Sequence, residues 1–176
     1  TDPAKREQLA AWYWEPWSAY YAAASSDGES ITAESGDTKA TKAVMTKASM
    51  QAANDFALNM ASHPAIIVAC AELAETHPTD TDLGRLSIVG GASVSPMVQN
   101  LSLALRNEGV ATTLTTLLCL FEPQVKALLG IPEEYATAAH IVAGYPAKPF
   151  PTKLTRRPVE EIAFLDNFDT PLTADA

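Results

Sequence analysis

Two short apolar runs set the strongest limit on what this chain can fold into. The first, AIIVACAE at 65–72, follows a proline, and the second, ATAAHIVAGYP at 136–146, ends in a Gly-Tyr-Pro turn. Short apolar runs bounded by proline and containing β-branched residues favour buried strands over helices. The first run is predicted to be a central strand. Segments with helical spacing lie before and between the two runs, so the pattern predicts a sheet flanked by helices.

Four helices are predicted from apolar residues three or four positions apart and from the prolines and glycines that end such patterns. In chain order they cover 3–24, 38–62, 95–107 and 123–132. Pro16 is expected to kink or divide the first helix, because proline lacks the N–H that a helix interior uses. The small polar stretch 25–38 is predicted to be a surface loop or lid.

Four threonines fall within the six residues 111–116, which begin two positions after Gly109, the glycine that ends the third predicted helix. Threonine is β-branched and tolerates a half-buried pleat, so this run is predicted to be a strand or a strand end. A purely structural role for these threonines and a role beside a ligand both remain open on the residues alone.

Length and charge exclude several classes of protein. A chain of 176 residues can bury its own core, and we expect a single domain over 1–176. The 12 basic and 21 acidic residues give a net charge of -9, which repels nucleic acid and anionic membranes. No apolar run approaches the ~18 residues of a membrane span. We therefore expect neither a nucleic-acid partner nor a membrane partner.

Cysteine and histidine show no spacing typical of a metal site. Cys70 and Cys119 lie in apolar stretches and are expected to be buried, reduced thiols of a cytoplasmic protein. His63, His77 and His140 are scattered, and each is expected to be a hydrogen-bonded structural histidine. Nucleotide-binding, nucleophile-elbow and calcium-binding motifs do not occur. An enzyme with this sequence would need a cofactor to supply its chemistry.

Two further clusters each admit a structural and a functional interpretation. Aromatic residues crowd the first helix, and they either pack in the core or line a site for flat molecules. They are Trp12, Tyr13, Trp14, Trp17, Tyr20 and Tyr21. The tail carries Lys153, Arg156 and Arg157 in an otherwise acidic chain. This basic cluster is either a solvated face or a phosphate ligand.

Several short segments occur in a characteristic order along the chain. They are TDPAKREQLA, NMASHPAIIVACAE, GGASVSPMVQNLSLALRNEG, the TTL segment, LGIP, AGYP and KLTRRP. In this order they resemble the FMN-dependent nitroreductase family over nearly the whole chain. The resemblance implies an α+β, nitroreductase-like layered fold, with a central mixed, mostly antiparallel sheet flanked by helices.

The same resemblance implies an activity and its partners. FMN would take hydride from NADH or NADPH and pass two electrons to a nitroaromatic, quinone or similar flat acceptor. The protein would be a cytoplasmic homodimer, with the helix at 95–107 as its main contact. No catalytic side chain and no metal would be required, because the flavin performs the chemistry.

Cofactor-binding residues follow from the family motifs. Main-chain amides after the third helix would face the flavin ring, and the basic tail would hold the FMN phosphate, with Arg156 as its main ligand. The residues implied are Leu114, Thr115, Thr116, Leu117, Lys153, Arg156 and Arg157.

The sequence departs from the family at its start. An arginine-rich segment of the type RSxRxF and a ring-contacting stretch of the type APSxxNxQPW do not occur, so we expect the N-terminal part of the fold to be missing. The chain is then either a piece of a longer protein or a shortened relative. The alternative function is that of a truncated, non-catalytic member acting as a flavin-binding or dimeric interaction domain.

Overall fold

The computed structural model of the chain describes residues 1–26, 47–154 and 156–172. It consists of two compact units, Thr1–Tyr145 and Pro146–Ala176, and each is described by itself. A single domain over 1–176 therefore stays a prediction. Of the lid predicted at 25–38, Ser25 and Ser26 belong to a helix and the remainder lies outside the described residues.

The first unit contains helices and a small sheet among its described residues. The helices are α1 Pro3–Ser26, α2 Lys47–Leu58, α3 Val94–Asn107 and α4 Glu122–Leu129. The strands are β1 Ala65–Glu72, β2 Ala111–Thr115 and β3 Tyr135–Gly144. Short 3₁₀ helices occur at Met60–Ser62, Leu73–Glu75, Val89–Gly91 and Leu117–Phe121, and another at Val159–Glu161 in the second unit.

Helix α1 continues through Pro16 without a break, so the proline does not divide the helix, and the predicted kink stays a prediction. Asp2 caps the helix, since its carboxylate accepts a hydrogen bond from the Lys5 amide at 3.0 Å. Leu9, Tyr13 and Trp17 recur every four residues and are buried in the core. Packing of this stripe compensates for the hydrogen bond that the proline removes.

The sheet has the strand order β1-β3-β2, and both described pairings are antiparallel. Among the strands that the structure describes, β3 is therefore central and β1 lies at an edge, so the prediction of β1 as a central strand is wrong for this part of the chain. Burial follows this order, because β3 is buried at most positions from Thr137 to Ala143 whereas β1 is mostly half-buried. An apolar run predicts a strand, but its place in the sheet depends on which partners it meets.

The two faces of the sheet bury different clusters. One face, which carries Val142, packs against α1, α2 and α4. The opposite face packs against α3, and its buried residues are Ala69, Val98, Ala139 and Ile141. Tyr13 and Trp17 are core residues of the first face, as the packing interpretation of the aromatic helix predicts, whereas Trp14 and Tyr20 are exposed.

The pairing of β1 with β3 contains a β-bulge. Ala69 pairs with Ala139 and Cys70 pairs with Thr137, so Ala138 is an extra residue in β3. A bulge re-aims the side chains beside it. Thr137 consequently points to the face covered by α4, where its hydroxyl donates to the Glu122 carboxylate at 2.9 Å.

Candidate functional site

The 114–117 segment runs from the end of β2 into the 3₁₀ helix Leu117–Phe121. Leu114 pairs with Ile141 and is 54% exposed. Thr115 pairs with His140 and is half-buried on the opposite face, because successive side chains of a strand alternate between faces. Thr116 is exposed at the point where the strand ends.

The Thr115 side chain has a structural task in this segment. Its hydroxyl oxygen accepts a hydrogen bond from the Leu117 amide at 3.3 Å. The Thr115 side chain also partly offsets the rise in the Tyr13 pKa that burial causes. In the next residues of the chain, the Cys119 amide donates a hydrogen bond to the Thr116 carbonyl at 2.9 Å. These bonds hold the backbone of the 114–117 segment in a defined turn.

His140 lies beside Thr115 in the centre of the sheet and is fully buried. Neither ring nitrogen has a hydrogen-bond partner among the described residues. Burial lowers the pKa of His140 from 6.5 to about 4, and the Glu122 carboxylate opposes this effect only in part. The prediction of a hydrogen-bonded histidine is therefore wrong for His140. It is confirmed for His63, whose Nδ1 lies 2.9 Å from the Asn59 carbonyl oxygen.

Further along the same face, polar groups gather around Thr137. Glu122, the first residue of α4, accepts hydrogen bonds from both the amide and the hydroxyl of Thr137. The Cys119 thiol donates to the Thr137 carbonyl at 3.4 Å. Cys70 is the neighbour of Thr137 on β1. Sequence reasoning missed this cluster, because its members are brought together only by the bulge and by the packing of α4.

The basic tail belongs to the second unit. Lys153, Arg156 and Arg157 are all exposed, and Thr155 between them lies outside the described residues. Exposed guanidinium and ammonium groups can bind an anion without a large desolvation cost. The tail and the 114–117 segment lie in different units.

A cavity of about 400 Å³ opens where β1 ends and α3 begins. Glu72, Glu75 and His77 contribute its charged or titratable lining, and none of the predicted cofactor residues lines it. Two carboxylates disfavour a phosphate. Across residues 1–26, 47–154 and 156–172, no group of three or more histidine, cysteine or acidic side chains is placed to hold a metal ion. Nor does any helix in that part of the chain have the length and hydropathy to cross a membrane.

Comparisons with known proteins give matches only at the level of structure. No protein-family model matches the chain, and a search of curated proteins finds no significant match. Three solved structures align with 99% of this chain. They are an NADPH:FMN oxidoreductase from Vibrio harveyi in complex with NAD+ (18% identity, TM-score 0.56), nitroreductase A from Vibrio parahaemolyticus (18%, 0.55) and the NfrA1 nitroreductase from B. subtilis (14%, 0.55).

The alignments establish the fold of the chain. It has a nitroreductase-like α+β fold, as the order of its sequence segments predicts. The chain spans 59%, 58% and 57% of the length of these three structures. Sequence identity below about 20% is not evidence of a shared activity, since one fold serves many functions.

Proposed function

We propose that this chain belongs to an FMN-dependent NAD(P)H oxidoreductase that reduces nitroaromatic, quinone or similar flat acceptors by two-electron hydride transfer. The observation that carries the proposal is the agreement between the order of its motifs and its nitroreductase-like fold over 99% of the chain. The matched structures include proteins described as an NADPH:FMN oxidoreductase and as nitroreductases. Their fold supports the same class of cofactor and reductant here.

The chemistry of the basic tail fits the phosphate of FMN. Lys153, Arg156 and Arg157 concentrate positive charge at an exposed stretch of a chain whose net charge is -9. An arginine fork donates two parallel hydrogen bonds to phosphate oxygens, which a lysine cannot do. We infer that Arg156 is the main phosphate ligand and that Lys153 and Arg157 add to the local field.

The 114–117 segment fits the edge of a flat, polar ring. Bound FMN would supply the hydride chemistry, and the chain would supply orientation and hydrogen-bond donors. The Leu117 amide is already bonded to Thr115, so the Thr116 amide is the better placed donor. Leu114 would offer apolar surface, since its side chain is 54% exposed. Thr115 would act by holding the turn, and no catalytic side chain is needed.

Exposed apolar residues on α3 support a homodimer. One side of this helix packs on the sheet through Val98, whereas Met97 and Leu103 are 45% and 53% exposed. A partner copy could cover these two side chains, and a contiguous apolar surface is what marks a subunit interface. We therefore place the dimer contact on α3.

Flavin absorbance tests the proposal directly. FMN is added to the purified chain, the excess is removed, and the retained band is recorded before and after addition of NADPH under anaerobic conditions. We expect a retained band that NADPH bleaches and that a quinone restores. A chain that binds no flavin would remove the basis for assigning an oxidoreductase function to these residues.

Substitution of the basic tail tests the phosphate site. Arg156→Ala should weaken FMN binding by about 1.5–3 kcal/mol, because a charge-assisted contact to phosphate is lost. The matched control is Lys148→Ala, which removes one exposed positive charge from the same unit outside the predicted ligands. Titration of FMN fluorescence measures both affinities. Equal FMN affinity in the two variants would contradict the assignment of Arg156.

The second candidate function is a non-catalytic flavin-binding or dimeric interaction domain. The fold match at 14–18% identity supports it equally, because one fold serves many functions. A flavin that is retained but not bleached by NADPH would favour this second function over the first.

A further inference from the structure

Two cysteines far apart in sequence are both neighbours of one residue of the central strand. Cys70 is the cross-strand partner of Thr137 in the pairing of β1 with β3. The Cys119 Sγ lies 3.4 Å from the Thr137 carbonyl oxygen and 3.8 Å from its hydroxyl oxygen. Both thiols are half-buried rather than fully buried, so the expectation of two buried thiols is wrong. They remain accessible to a small reagent.

The β-bulge places both thiols on the same face of the sheet. Cys70 follows Ala69, which faces α3, and therefore faces the opposite side. Thr137 faces that side too, since its hydroxyl contacts Glu122 and Cys119. Cross-strand neighbours on one face have Cβ atoms about 4.5–5.5 Å apart. This spacing brings the Cys70 side chain close to the residue that the Cys119 thiol already contacts.

We propose that Cys70 and Cys119 form one dithiol site that closes to an intramolecular disulfide by exchange with a low-molecular-weight disulfide. Oxidised glutathione serves as the oxidant. One cysteine thiolate attacks a glutathione sulfur, which forms a mixed disulfide and releases one glutathione thiolate. The second cysteine thiolate then attacks the protein sulfur of that bond and releases the other. The two thiols lose two electrons and two protons, and the products are one protein disulfide and two molecules of reduced glutathione.

Closure would tie the end of the 114–117 segment to strand β1. Cys119 lies in the 3₁₀ helix that begins at Leu117, immediately after the turn of the 114–117 segment. Cys70 lies near the end of β1. A covalent bond between them would fasten the backbone that follows this turn to the edge strand. Burial and the nearby Glu122 carboxylate raise the pKa of the Cys70 thiol, so exchange through Cys70 should be slow near neutral pH and faster in alkali.

The equilibrium with glutathione provides the test, because it depends on the distance between the thiols and not on their rates of reaction. The chain is equilibrated with fixed amounts of oxidised and reduced glutathione, in native buffer and in urea, quenched with acid and weighed intact by mass spectrometry. We expect the closed form, lighter by two hydrogens, to be favoured at least about tenfold more in native buffer than in urea. An equal or smaller preference in native buffer overturns the proposal, as does a native chain that carries only glutathione adducts.

Single variants make the controls. The chain has only two cysteines, so an internal disulfide must join Cys70 to Cys119. Cys70→Ser and Cys119→Ser should each take up one glutathione and show no loss of two hydrogens. Urea unfolding of the closed and open wild-type chains is an independent measurement. A higher midpoint for the closed form is expected, and a lower midpoint would show that the native fold holds the thiols apart.

Discussion

His140 occupies the centre of the sheet without a hydrogen bond from either ring nitrogen among the described residues. A buried polar group without a partner costs free energy, because water no longer solvates it. The surroundings favour the neutral ring and lower its pKa to about 4. Its cross-strand neighbour Thr115 belongs to the 114–117 segment. The unsatisfied imidazole therefore lies next to the proposed flavin contact.

Acid should destabilise the fold through His140. The unfolded chain binds the proton with a pKa near 6.5, whereas the folded chain does so near 4. The contribution of neutral His140 to the free energy of unfolding is therefore fully present above about pH 6.5. This contribution is lost as the pH falls from there toward 4. The loss should approach about 3 kcal/mol. Urea unfolding at several pH values between 7 and 4 measures it.

His140→Leu is the matched variant for this measurement. An apolar side chain of similar size removes both unsatisfied nitrogens, so stability at pH 7 should be kept or increased. The free energy of unfolding should then change less with pH between 6.5 and 4 than in the wild type. The same pH dependence in both proteins would show that another group titrates.

At the scale of elements, the loop between β1 and α3 is held by one carboxylate. Asp80 is buried and accepts hydrogen bonds from the Ser87 hydroxyl at 2.7 Å, the Ile88 amide at 2.9 Å and the Arg85 guanidinium at 2.7 Å. The Ser87 hydroxyl, followed by the Ile88 amide, holds the pKa of Asp80 far below its usual value. Leu86 is nevertheless 91% exposed. The loop is ordered by polar contacts rather than by an apolar core.

Asp80→Ala should loosen this loop while leaving the sheet intact. Removal of the carboxylate leaves the Ile88 amide and the Ser87 hydroxyl without their acceptor, so the loop between residues 80 and 90 should open more often. Limited proteolysis and hydrogen exchange should both become faster there. Asp82→Ala is the control, because Asp82 is exposed in the same loop. Equal rates of proteolysis and of hydrogen exchange in the two variants would contradict the role of Asp80.

At the scale of the whole molecule, the proposed dimer makes a prediction about mass in solution. Light scattering coupled to size-exclusion chromatography should give twice the mass of one chain. Met97→Glu and Leu103→Glu together should shift the protein toward the monomer, because each places a charge in the apolar contact on α3. Leu86→Glu alters an exposed leucine outside α3 and serves as the control. A monomeric wild-type chain would contradict the α3 interface.

Local chemistry in the sequence was enough to predict most elements of the fold. The apolar runs became β1 and β3, the threonine run became β2, and α4 ends at Gly130, whose φ of 70° favours glycine. These features depend on neighbours along the chain, so spacing and turn residues reveal them. The order of the motifs also predicted the nitroreductase-like fold, which the structural comparisons confirm.

Contacts between distant residues were decided only by the tertiary structure. It placed β3 rather than β1 at the centre of the sheet, left His140 without a partner, and occupied the Leu117 amide with the Thr115 hydroxyl. It also brought Cys70 and Cys119 to Thr137. The spacing of residues along the chain does not reveal these contacts. Strand order, the one-residue bulge and helix packing depend on how distant segments bury their apolar surfaces together.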